Sequence, residues 1–151
     1  YSPIARVANA WAERLGEPTF PDTLDGLLDR CARVGQTKPT PLVLRYGPGG
    51  YNCLHQDVYG DLTFPLQFLV MLSRPDVDFT GGESVFVEQR PRQQSRPVVL
   101  RPAQGQAVVF PVHHRPRRGT RGDHRVQVRH GVSAVHTGER HVLGVIFHNA
   151  R

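Results

Sequence analysis

The sequence predicts an α+β protein in which N-terminal helices pack on one sheet of a β-sandwich or barrel. Two observations predict this class. Apolar residues recur at helical spacing in residues 1–37, whereas residues 41–149 contain short β-rich segments between turns rich in glycine and proline. Helices followed by a run of strands are typical of α+β architecture. The 151 residues suit a single domain, 1–151, because no repeat or linker divides them.

The first two segments are predicted to be amphipathic helices. Residues 2–16 read SPIARVANAWAERLG and carry an apolar stripe that includes Trp11. Residues 21–35 read PDTLDGLLDRCARVG and repeat the pattern with leucines. Gly16 and Gly35 follow the two stripes and are natural helix ends. These helices are expected to support the β-rich core.

About eight short strands are predicted after the helices. The near-continuous apolar run at residues 66–73 is typical of a strand buried on both faces. The clearest predicted strands are LVLRY (42–46), LQFLVMLS (66–73), ESVFVEQ (83–89), RPVVLRP (96–102), GQAVVFP (105–111), VQVRHGVSAVH (126–136) and RHVLGVIFHNA (140–150). Turns are predicted at GPGG (47–50), DFTGG (78–82) and Thr137-Gly138, and an arginine- and glycine-rich loop is predicted at HHRPRRGTRGDHR (113–125).

A block of basic residues lies in the second half of the chain. The formal net charge is +6, and the stretch 90–129 contains ten arginines and a single acid, Asp123. Such a block favours an anionic partner, with nucleic acid as the first candidate. The alternative is a solvated loop that keeps the protein soluble. The candidate nucleic-acid contacts are Arg115, Arg117, Arg118 and Arg121.

The cysteine count and the apolar runs indicate a cytoplasmic protein without membrane association. No apolar run reaches the roughly 18 residues that a membrane-spanning helix needs. Cys31 and Cys53 are the only cysteines, which is too few for a disulfide framework, so both are predicted to be free thiols. Cys53 is expected to be a small apolar filler on the strand before His55.

The segment LHQDVYGD (54–61) is the strongest candidate for metal chemistry. Residues i and i+2 of an extended backbone point to the same side, so His55 and Asp57 can reach one ion. A pair of this kind also occurs by chance in surface loops. Two histidines and one carboxylate on one face, with open positions, form the ligand set of non-haem Fe(II) that binds oxygen and an organic co-substrate. A third ligand is therefore required.

Seven further histidines compete for the third position. His130 lies on a predicted strand, and Arg140 follows ten residues later on the returning strand. A metal ligand belongs on a rigid element, which favours His130 over the histidines of the predicted loop. An arginine near the metal can hold a carboxylate through paired hydrogen bonds. The other histidines are His113, His114, His124, His136, His141 and His148.

The order of these residues resembles the Fe(II)- and 2-oxoglutarate-dependent dioxygenases of the double-stranded β-helix (jelly-roll) fold. The family pattern is HxD, a distal histidine, and an arginine or lysine about ten residues later. The matching residues are His55, Asp57, His130 and Arg140. Four stretches resemble the family in the same order: LRYGPGGYNCLHQD, FTGGESVF, RPAQGQAVVF and HGVSAVHTGERHVLGVIFH. Together they cover about residues 41–149, the predicted core.

The resemblance implies a cofactor, two co-substrates and a reaction. Fe(II) is the implied metal, and 2-oxoglutarate and O2 are the implied co-substrates. Arg140 is expected to hold the far carboxylate of 2-oxoglutarate, with Tyr46 as a further contact. Thr137 is expected either to assist that carboxylate or to shape the turn. The implied reaction hydroxylates a C–H bond while 2-oxoglutarate gives succinate and CO2, and it needs no catalytic side chain beyond the metal ligands.

Two substrate classes compete. The HQD triplet and Arg140 resemble the AlkB-like members, which remove methyl groups from damaged bases, and the whole run resembles a bacterial group of AlkB-like oxygenases proposed to act on nucleic acid. The ten-residue spacing and the GGE strand resemble the prolyl-hydroxylase-like members, which hydroxylate proteins or peptides. Oxidative demethylation of alkylated bases in single-stranded or damaged nucleic acid, a DNA-repair activity, is the favoured prediction. An inactive jelly-roll binding module is a third hypothesis, and the complete ligand set argues against it.

Overall fold

The computed structural model describes residues 1–151 and contains two helices followed by eleven strands. The predicted class, mostly β-sheet with two N-terminal helices, is confirmed. The helices are α1 (Ser2–Leu15) and α2 (Leu24–Arg33). The strands are β1 (Leu42–Tyr46), β2 (Asn52–His55), β3 (Leu66–Met71), β4 (Phe79–Gly81), β5 (Ser84–Gln89), β6 (Arg96–Leu100), β7 (Ala107–Pro111), β8 (His114–Gly119), β9 (Gly122–Val132), β10 (Val135–Gly138) and β11 (Arg140–Ile146).

Two antiparallel sheets make up the body of the protein. The first sheet has the strand order β1-β11-β3-β7, and the second has the order β2-β9-β5-β6, with β8 also paired to β9. Side chains from both sheets line one shared pocket, which defines the inner face of each sheet. Since side chains alternate along a strand, the strand registers fix which residues reach this pocket.

Strand β3 shows how the near-continuous apolar run is used. Leu66 belongs to the core cluster beneath the helices, and Phe68 packs against that cluster from the same face of the strand. Gln67 and Leu69 line the pocket between the sheets. Both faces of β3 are therefore covered, which is why the alternation of a half-exposed strand is absent from its sequence.

The helices cover the outer face of the first sheet. Ala5 and Ala8 of α1 join Leu27 and Cys31 of α2 in one buried cluster, whose centre is the fully buried ring of Phe64. Small alanines on α1 allow close approach of the two elements. Neither helix is long and apolar enough to span a membrane.

The two helices end as their sequences predict. Gly16 adopts a left-handed conformation with φ 65° and terminates α1. The hydroxyl of Thr23 accepts a hydrogen bond from the backbone N–H of Gly26 at 3.2 Å and caps the start of α2. Gly35 lies one residue past the C-cap of α2 and also has a positive φ, 76°. The caps therefore define the helix bounds to within two or three residues of the prediction.

The predicted loop at residues 113–125 is a β-hairpin, and the loop prediction is wrong. Strands β8 and β9 pair in continuous register from His114↔Gln127 to Gly119↔Gly122. Pro116 and Gly119 have low strand propensity, and the arginines give no alternating apolar pattern, but the backbone hydrogen bonds to the long strand β9 do not depend on such a pattern. Arg115, Arg117 and Arg118 are therefore held on a strand instead of a loop, and Arg121 lies in the turn.

Two predicted turns also belong to a sheet. The segment DFTGG contains β4, and Thr137-Gly138 lies within β10, which pairs with β4. Each strand has only three or four residues, so no periodic pattern marks it in the sequence. These two strands and β8 account for most of the difference between eleven strands and the predicted number.

The two cysteines are free, as predicted, but their environments differ. Cys31 is fully buried in the helical core cluster. Cys53 is exposed on β2, so its prediction as an apolar filler is wrong. Leu54, the next residue of β2, is also exposed, so the middle of this strand is open to solvent.

Candidate metal and co-substrate site

The three side chains predicted as metal ligands lie together on the second sheet. His55 ends β2 and is paired with His130 in the register of β2 and β9. An Asp57 carboxylate oxygen lies 3.1 Å from His130 Nε2, and the other lies 3.5 Å from His55 Nε2. One potential ligand atom from each residue lies within 4.8 Å of the other two. The fold thus brings His130, which is distant in sequence, to the HxD pair.

Gln56 anchors the backbone between the two members of the HxD pair. Its amide nitrogen donates hydrogen bonds to the carbonyl oxygens of His113 and Val128, both at 2.8 Å. These bonds tie the segment to β9 and to the residue before β8. The side chains of His55 and Asp57 are therefore left on the opposite side, facing His130.

The orientation of the His55 ring is fixed by the backbone. Nδ1 of His55 lies 2.7 Å from the carbonyl oxygen of Cys53, and since a carbonyl only accepts, Nδ1 carries the proton and donates it. Nε2 is then directed towards Asp57, whose carboxylate can accept a hydrogen bond from the doubly protonated ring, and this interaction raises the pKa of His55. A metal-binding histidine commonly donates its other ring N–H to a carbonyl in this way. His130 differs, because its Nδ1 is buried without a partner.

Asp57 is almost fully buried and is held by two further residues. The hydroxyl of Tyr59 donates to its carboxylate at 2.6 Å, and Nε2 of His148 lies 3.1 Å from its backbone carbonyl oxygen. The backbone N–H of Phe64 donates to Nδ1 of His148 at 3.3 Å, so Nε2 of His148 is the protonated nitrogen that donates to Asp57. Burial raises the pKa of Asp57, but hydrogen bonds from the two histidines and Tyr59 outweigh it and hold the pKa far below its usual range.

Arg140 supplies a buried cation at the other end of the same pocket. Its side chain is fully buried, and Nη2 donates to the hydroxyl of Ser84 at 3.1 Å. The guanidinium carbon lies 5.3 Å from the centre of the Tyr46 ring. Nε and Nη1 are buried without any partner. Burial lowers the pKa of Arg140, so an anion beside these two donors would relieve an unfavourable charge.

One pocket of about 150 Å³ contains both groups. It lies between the two sheets, and most of its wall is apolar. Along β5, Ser84 contacts Arg140 and Phe86 is paired with His130, so one strand orders the two ends of the pocket. The polar and charged lining residues are Tyr46, Asn52, His55, Asp57, Tyr59, Gln67, Ser84, His130 and Arg140.

These residues fit the metal and the co-substrate that the sequence implies. Two imidazoles and one carboxylate on one side of a cavity match the ligand set of non-haem Fe(II). The unpartnered Nε and Nη1 of Arg140 form a fork that matches a carboxylate group. Nε2 of Gln67 is a third buried donor without a partner in this pocket. The donor set therefore suits a ligand that carries carboxylates.

The structure does not bring every predicted residue to this pocket. Tyr46 lines it, and the guanidinium of Arg140 lies over the Tyr46 ring. Thr137 is exposed on β10, its hydroxyl lies 2.8 Å from that of Thr80, and it is absent from the pocket wall. The structure therefore does not bring Thr137 to the pocket wall, and its contact with Thr80 agrees with the alternative prediction, that it shapes the turn between strands.

The four arginines predicted to contact nucleic acid fall into two groups. Arg115 and Arg117 form ion pairs with Glu88. Arg118 is exposed near the hairpin turn, with Asp123 at 3.9 Å, and Arg121 lies in the turn itself. The sequence places all four in one block, but the hairpin presents them at two different positions.

The sequence does not predict the contacts that several residues make in this site. Tyr59 follows Asp57 by two residues, the spacing at which an extended chain repeats its direction. Ser84 follows the double glycine and contacts Arg140. His148 was recognised only as one of several histidines. Its contact with Asp57 joins residues far apart in sequence, so only the fold reveals it.

The sequence matches the Oxygenase-NA family over residues 1–150, and this family is described as "Oxygenase, catalysing oxidative methylation of damaged DNA". Two curated proteins of Mycobacterium tuberculosis, the uncharacterized proteins MT2286 (strain CDC 1551 / Oshkosh) and Rv2227 (strain ATCC 25618 / H37Rv), are each 49% identical to the chain over 148 residues. The match covers 98% of this chain and 63% of each relative. The chain therefore spans less than two thirds of the length of these relatives.

A solved structure shares the fold. It is an oxidoreductase of the 2OG-Fe(II) oxygenase family from Burkholderia pseudomallei, and it superposes with a TM-score of 0.51. The superposition covers 73% of this chain and 43% of the other, at 23% sequence identity. At this identity the likeness concerns the arrangement of strands and helices only.

Proposed function

Since the chain belongs to the Oxygenase-NA family, we propose that it is an Fe(II)- and 2-oxoglutarate-dependent oxygenase that oxidises a C–H bond on a damaged nucleic-acid base. The resemblance to the Fe(II)/2-oxoglutarate oxygenase superfamily, read from the sequence, is confirmed by this membership and by the shared fold. The proposed reaction is oxidative demethylation, in the manner of the AlkB-like members.

One observation carries the proposal. A cluster of two histidines and an aspartate shares one pocket with a buried arginine that has two unpartnered donors. A structural core has no need of an unpaired guanidinium, because burying it costs several kcal/mol without a compensating anion. The same arrangement suits a ligand that binds a metal at one end and an arginine at the other, as 2-oxoglutarate would.

The proposal includes the organisation of the chain. The two sheets form the double-stranded β-helix core over residues 41–149, and residues 1–37 form the helical support. The core cluster that joins both helices to β3 and to Phe147 supports a single domain over residues 1–151. A pocket lined by both sheets, with the ligand cluster on the second, supports the jelly-roll assignment.

Each proposed site residue has a defined task. His55, Asp57 and His130 would hold Fe(II), and Arg140 with Tyr46 would hold the far carboxylate of 2-oxoglutarate. Once bound, Fe(II) and 2-oxoglutarate would supply the oxidising chemistry together with O2: one oxygen atom of O2 would enter the succinate formed when 2-oxoglutarate loses CO2, and the other would be inserted into the C–H bond. Tyr59 and His148 keep Asp57 in place by hydrogen bonds to its carboxylate and carbonyl. The apolar part of the pocket wall would limit the access of water to the reacting groups.

The substrate class follows from the family description and from charge. Damaged DNA is the substrate named for the family. A net charge of +6 and the arginines of the second half favour a polyanionic partner. Single-stranded DNA is the simplest substrate, since its bases need no extraction from a duplex.

Succinate release tests both parts of the proposal. Purified protein is incubated with Fe(II), ascorbate and 2-oxoglutarate, with a single-stranded oligonucleotide that either contains 1-methyladenine or lacks the methyl group. Methylated DNA is expected to stimulate succinate formation and to lose its methyl group as formaldehyde. If neither oligonucleotide changes the rate of succinate formation, the assignment as an oxygenase would stand but methylated DNA would be excluded as the substrate. Peptides would then be tested.

The metal assignment is tested by a pair of histidine and aspartate variants. Asp57→Ala is expected to weaken Fe(II) binding by more than about 100-fold, because it removes the only anionic ligand. His136→Ala is the matched control, since His136 is exposed on β10. Calorimetric titration with Fe(II) under anaerobic conditions measures both. Equal affinity in Asp57→Ala and wild type would place the metal elsewhere.

A further inference from the structure

A group of arginines surrounds one carboxylate on the inner face of the second sheet, outside the metal and co-substrate site. Glu88 of β5 accepts hydrogen bonds from Nε of Arg90 at 2.8 Å, from Nε of Arg115 at 3.0 Å and from Nη1 of Arg117 at 3.2 Å. Nη2 of Arg115 donates a further bond to the same carboxylate. We name these four residues the Glu88 cluster.

The Glu88 cluster carries an excess of positive charge. Three guanidinium groups face one carboxylate, and Arg96 lies directly opposite Glu88 in the register of β5 and β6. The pKa of Glu88 is raised by burial but more strongly lowered by its arginine partners, so the carboxylate stays ionised. At least two positive charges therefore remain without a counter-ion within this group.

The arginines are accessible, whereas the carboxylate that organises them is not. The Glu88 side chain is 14% exposed, and the side chains of Arg115 and Arg117 are 33% and 35% exposed. Each guanidinium has more N–H donors than it uses on Glu88. Glu88 thus fixes the position of the arginine forks. One N–H of Arg115 Nη1 donates to the carbonyl oxygen of Pro116 at 3.3 Å, and the other donors of Arg115 and Arg117 can meet an incoming anion.

Strand β5 places this cluster in line with the oxygenase site. Ser84 contacts Arg140, Phe86 is paired with His130, and Glu88 follows two residues further along the same face. Two residues of a strand span about 7 Å. Arg140 and the Glu88 cluster therefore lie on opposite sides of the metal ligands, so the cluster is clear of the co-substrate end.

A second cavity adjoins the cluster. It measures about 210 Å³, opens between β6 and β7, and has Glu88 and Arg115 in its otherwise apolar wall. Phe86 and Phe110, in edge-on contact at 4.9 Å, line both this cavity and the metal pocket. An apolar slot with cations at its end suits a molecule that joins a flat ring to an anionic group.

We propose that the Glu88 cluster is a phosphate-binding subsite that holds the backbone of a single-stranded nucleic acid beside the metal pocket, through Arg115 and Arg117. This inference deepens the proposed function and rests on it. The phosphodiester accepts hydrogen bonds from the N–H donors that Glu88 leaves free. DNA affinity would then depend on where these two arginines lie relative to the metal ligands, and not only on the net charge of the protein.

Salt-dependent DNA binding tests this subsite. The probe is a fluorescein-labelled single-stranded nonamer with one 1-methyladenine, and the protein carries 2-oxoglutarate and Mn(II) in place of Fe(II) so that no turnover occurs. Fluorescence anisotropy gives Kd between 50 and 300 mM NaCl. The double variant Arg115→Gln/Arg117→Gln is expected to bind about 10-fold more weakly at low salt. Its slope of log Kd against log salt is expected to fall by about 1.4, for two lost contacts to a single strand.

Two matched variants separate position from charge. Arg6→Gln/Arg33→Gln removes two exposed arginines from the helices and is expected to change the slope by less than about 0.3. Glu88→Gln removes the competing negative charge but keeps an acceptor oxygen that can still position the arginines, so this variant is expected to bind DNA at least as tightly as wild type. Thermal unfolding confirms that each variant is folded. Weaker binding by Glu88→Gln, of the same size as in the arginine variant, would make the cluster structural and overturn the subsite.

The failure of this inference differs from the failure of the proposed function. Normal stimulation of succinate release by methylated DNA, together with wild-type DNA binding by Arg115→Gln/Arg117→Gln, would overturn the subsite alone. No stimulation by methylated DNA would overturn the substrate class, and the subsite with it. If the slope of log Kd against log salt falls equally in the Arg6→Gln/Arg33→Gln variant, the effect depends on net charge alone. This result would also overturn the subsite.

Discussion

Several residues of the pocket bury nitrogen atoms that have no hydrogen-bond partner, which lowers the stability of the ligand-free protein. Arg140 is buried with two unpartnered donors, and Gln67 and His130 each bury one more nitrogen without a partner. An unsatisfied buried polar atom costs about 1–3 kcal/mol, and more if it is charged. All three residues line the same pocket, so the cost is concentrated where a ligand would offset it.

Arg140→Met is expected to separate stability from function. The variant should raise the free energy of unfolding of the ligand-free protein by about 1 kcal/mol, because an apolar side chain replaces a poorly compensated buried charge. It should weaken 2-oxoglutarate binding by about 2–5 kcal/mol. Urea unfolding and calorimetric titration measure the two effects. Arg45→Met is the control, since Arg45 lies in an exposed pair with Glu139, and a similar loss of co-substrate affinity there would contradict the role of Arg140.

His113 makes stability depend on pH. Burial lowers its pKa from 6.5 to about 4, so the folded protein resists protonation that the unfolded chain accepts. Unfolding therefore takes up a proton between these pKa values, and stability is full above pH 6.5 and falls as the pH drops towards 4. The expected loss is about 1–2 kcal/mol, after allowance for the solvent contact of this half-buried ring.

The variant His113→Phe tests this dependence. Phenylalanine removes the buried Nδ1, which has no partner, and it cannot be protonated. The variant should lose less stability than wild type between pH 7 and pH 5 in urea unfolding. Part of the dependence should remain, since burial also lowers the pKa of the neighbouring His114. A pH profile identical to that of wild type would assign the effect to other groups.

At the scale of elements, the double glycine before β5 is explained by the approach of Arg140. Gly81 and Gly82 both have positive φ, 71° and 62°. A Cβ on Gly82 would lie 2.9 Å from Cδ of Arg140 and 3.0 Å from Cγ2 of Val135, and one on Gly81 would lie 2.4 Å from the carbonyl oxygen of Ala134. The GG motif therefore allows β4, β10 and β11 to meet around the buried arginine.

Gly82→Ala should lower both the stability of the protein and its affinity for 2-oxoglutarate, because the added methyl group meets Arg140 in addition to straining the backbone. Gly105→Ala is the matched control, because Gly105 also has a positive φ, 81°, but open space around the added Cβ. Both variants should lose about 1 kcal/mol from backbone strain. Only Gly82→Ala should lose a further 1 kcal/mol or more and bind 2-oxoglutarate more weakly. Equal effects in urea unfolding and titration would show that the contact with Arg140 is unimportant.

The sequence predicts elements best where a periodic side-chain pattern coincides with burial. The apolar stripes of α1 and α2 and the apolar run of β3 meet this condition, and their bounds are close to the prediction. Strand β8 does not, because Arg115, Arg117 and Arg118 give no alternating apolar signal, and its pairing with β9 comes from the backbone. Strands β4 and β10 are too short to carry any pattern.

The candidate site divides in a similar way. Chemical type, spacing and resemblance predict His55, Asp57, His130 and Arg140, and the fold brings these four residues to one pocket. Thr137 was misplaced because the sequence does not show that β10 turns it outward to Thr80. The contact between His148 and Asp57 depends on where the chain passes after β11, and no local pattern encodes it.

For the whole molecule, the helices and the sheets should unfold as one unit. The core cluster joins α1, α2, β3 and Phe147, with Phe64 at its centre. Trp11 is the only tryptophan and packs against this cluster, so its fluorescence reports on the helical layer. Its unfolding curve in urea should coincide with the loss of β-sheet signal in circular dichroism. Two separate transitions would contradict the proposed single domain.

Phe64→Ala is the matching perturbation of that unit. It should shift both curves together and lower the free energy of unfolding by about 3–5 kcal/mol, because it leaves a cavity between the helices and the sheet.

The long strand β9 has a consequence for how the length of this chain can change. Strand β9 carries His130 near its end and begins at the hairpin turn Gly119–Gly122. Val126 and Val128 lie on this strand between the turn and His130. One extra residue between Val126 and His130 would turn every later side chain to the other face and remove the ligand from the pocket. Additional residues in the turn would leave this register untouched. A tag or a foreign peptide inserted at the hairpin tip is therefore expected to leave the metal ligands in place. An insertion or deletion of one residue between Val126 and His130 is expected to abolish metal binding.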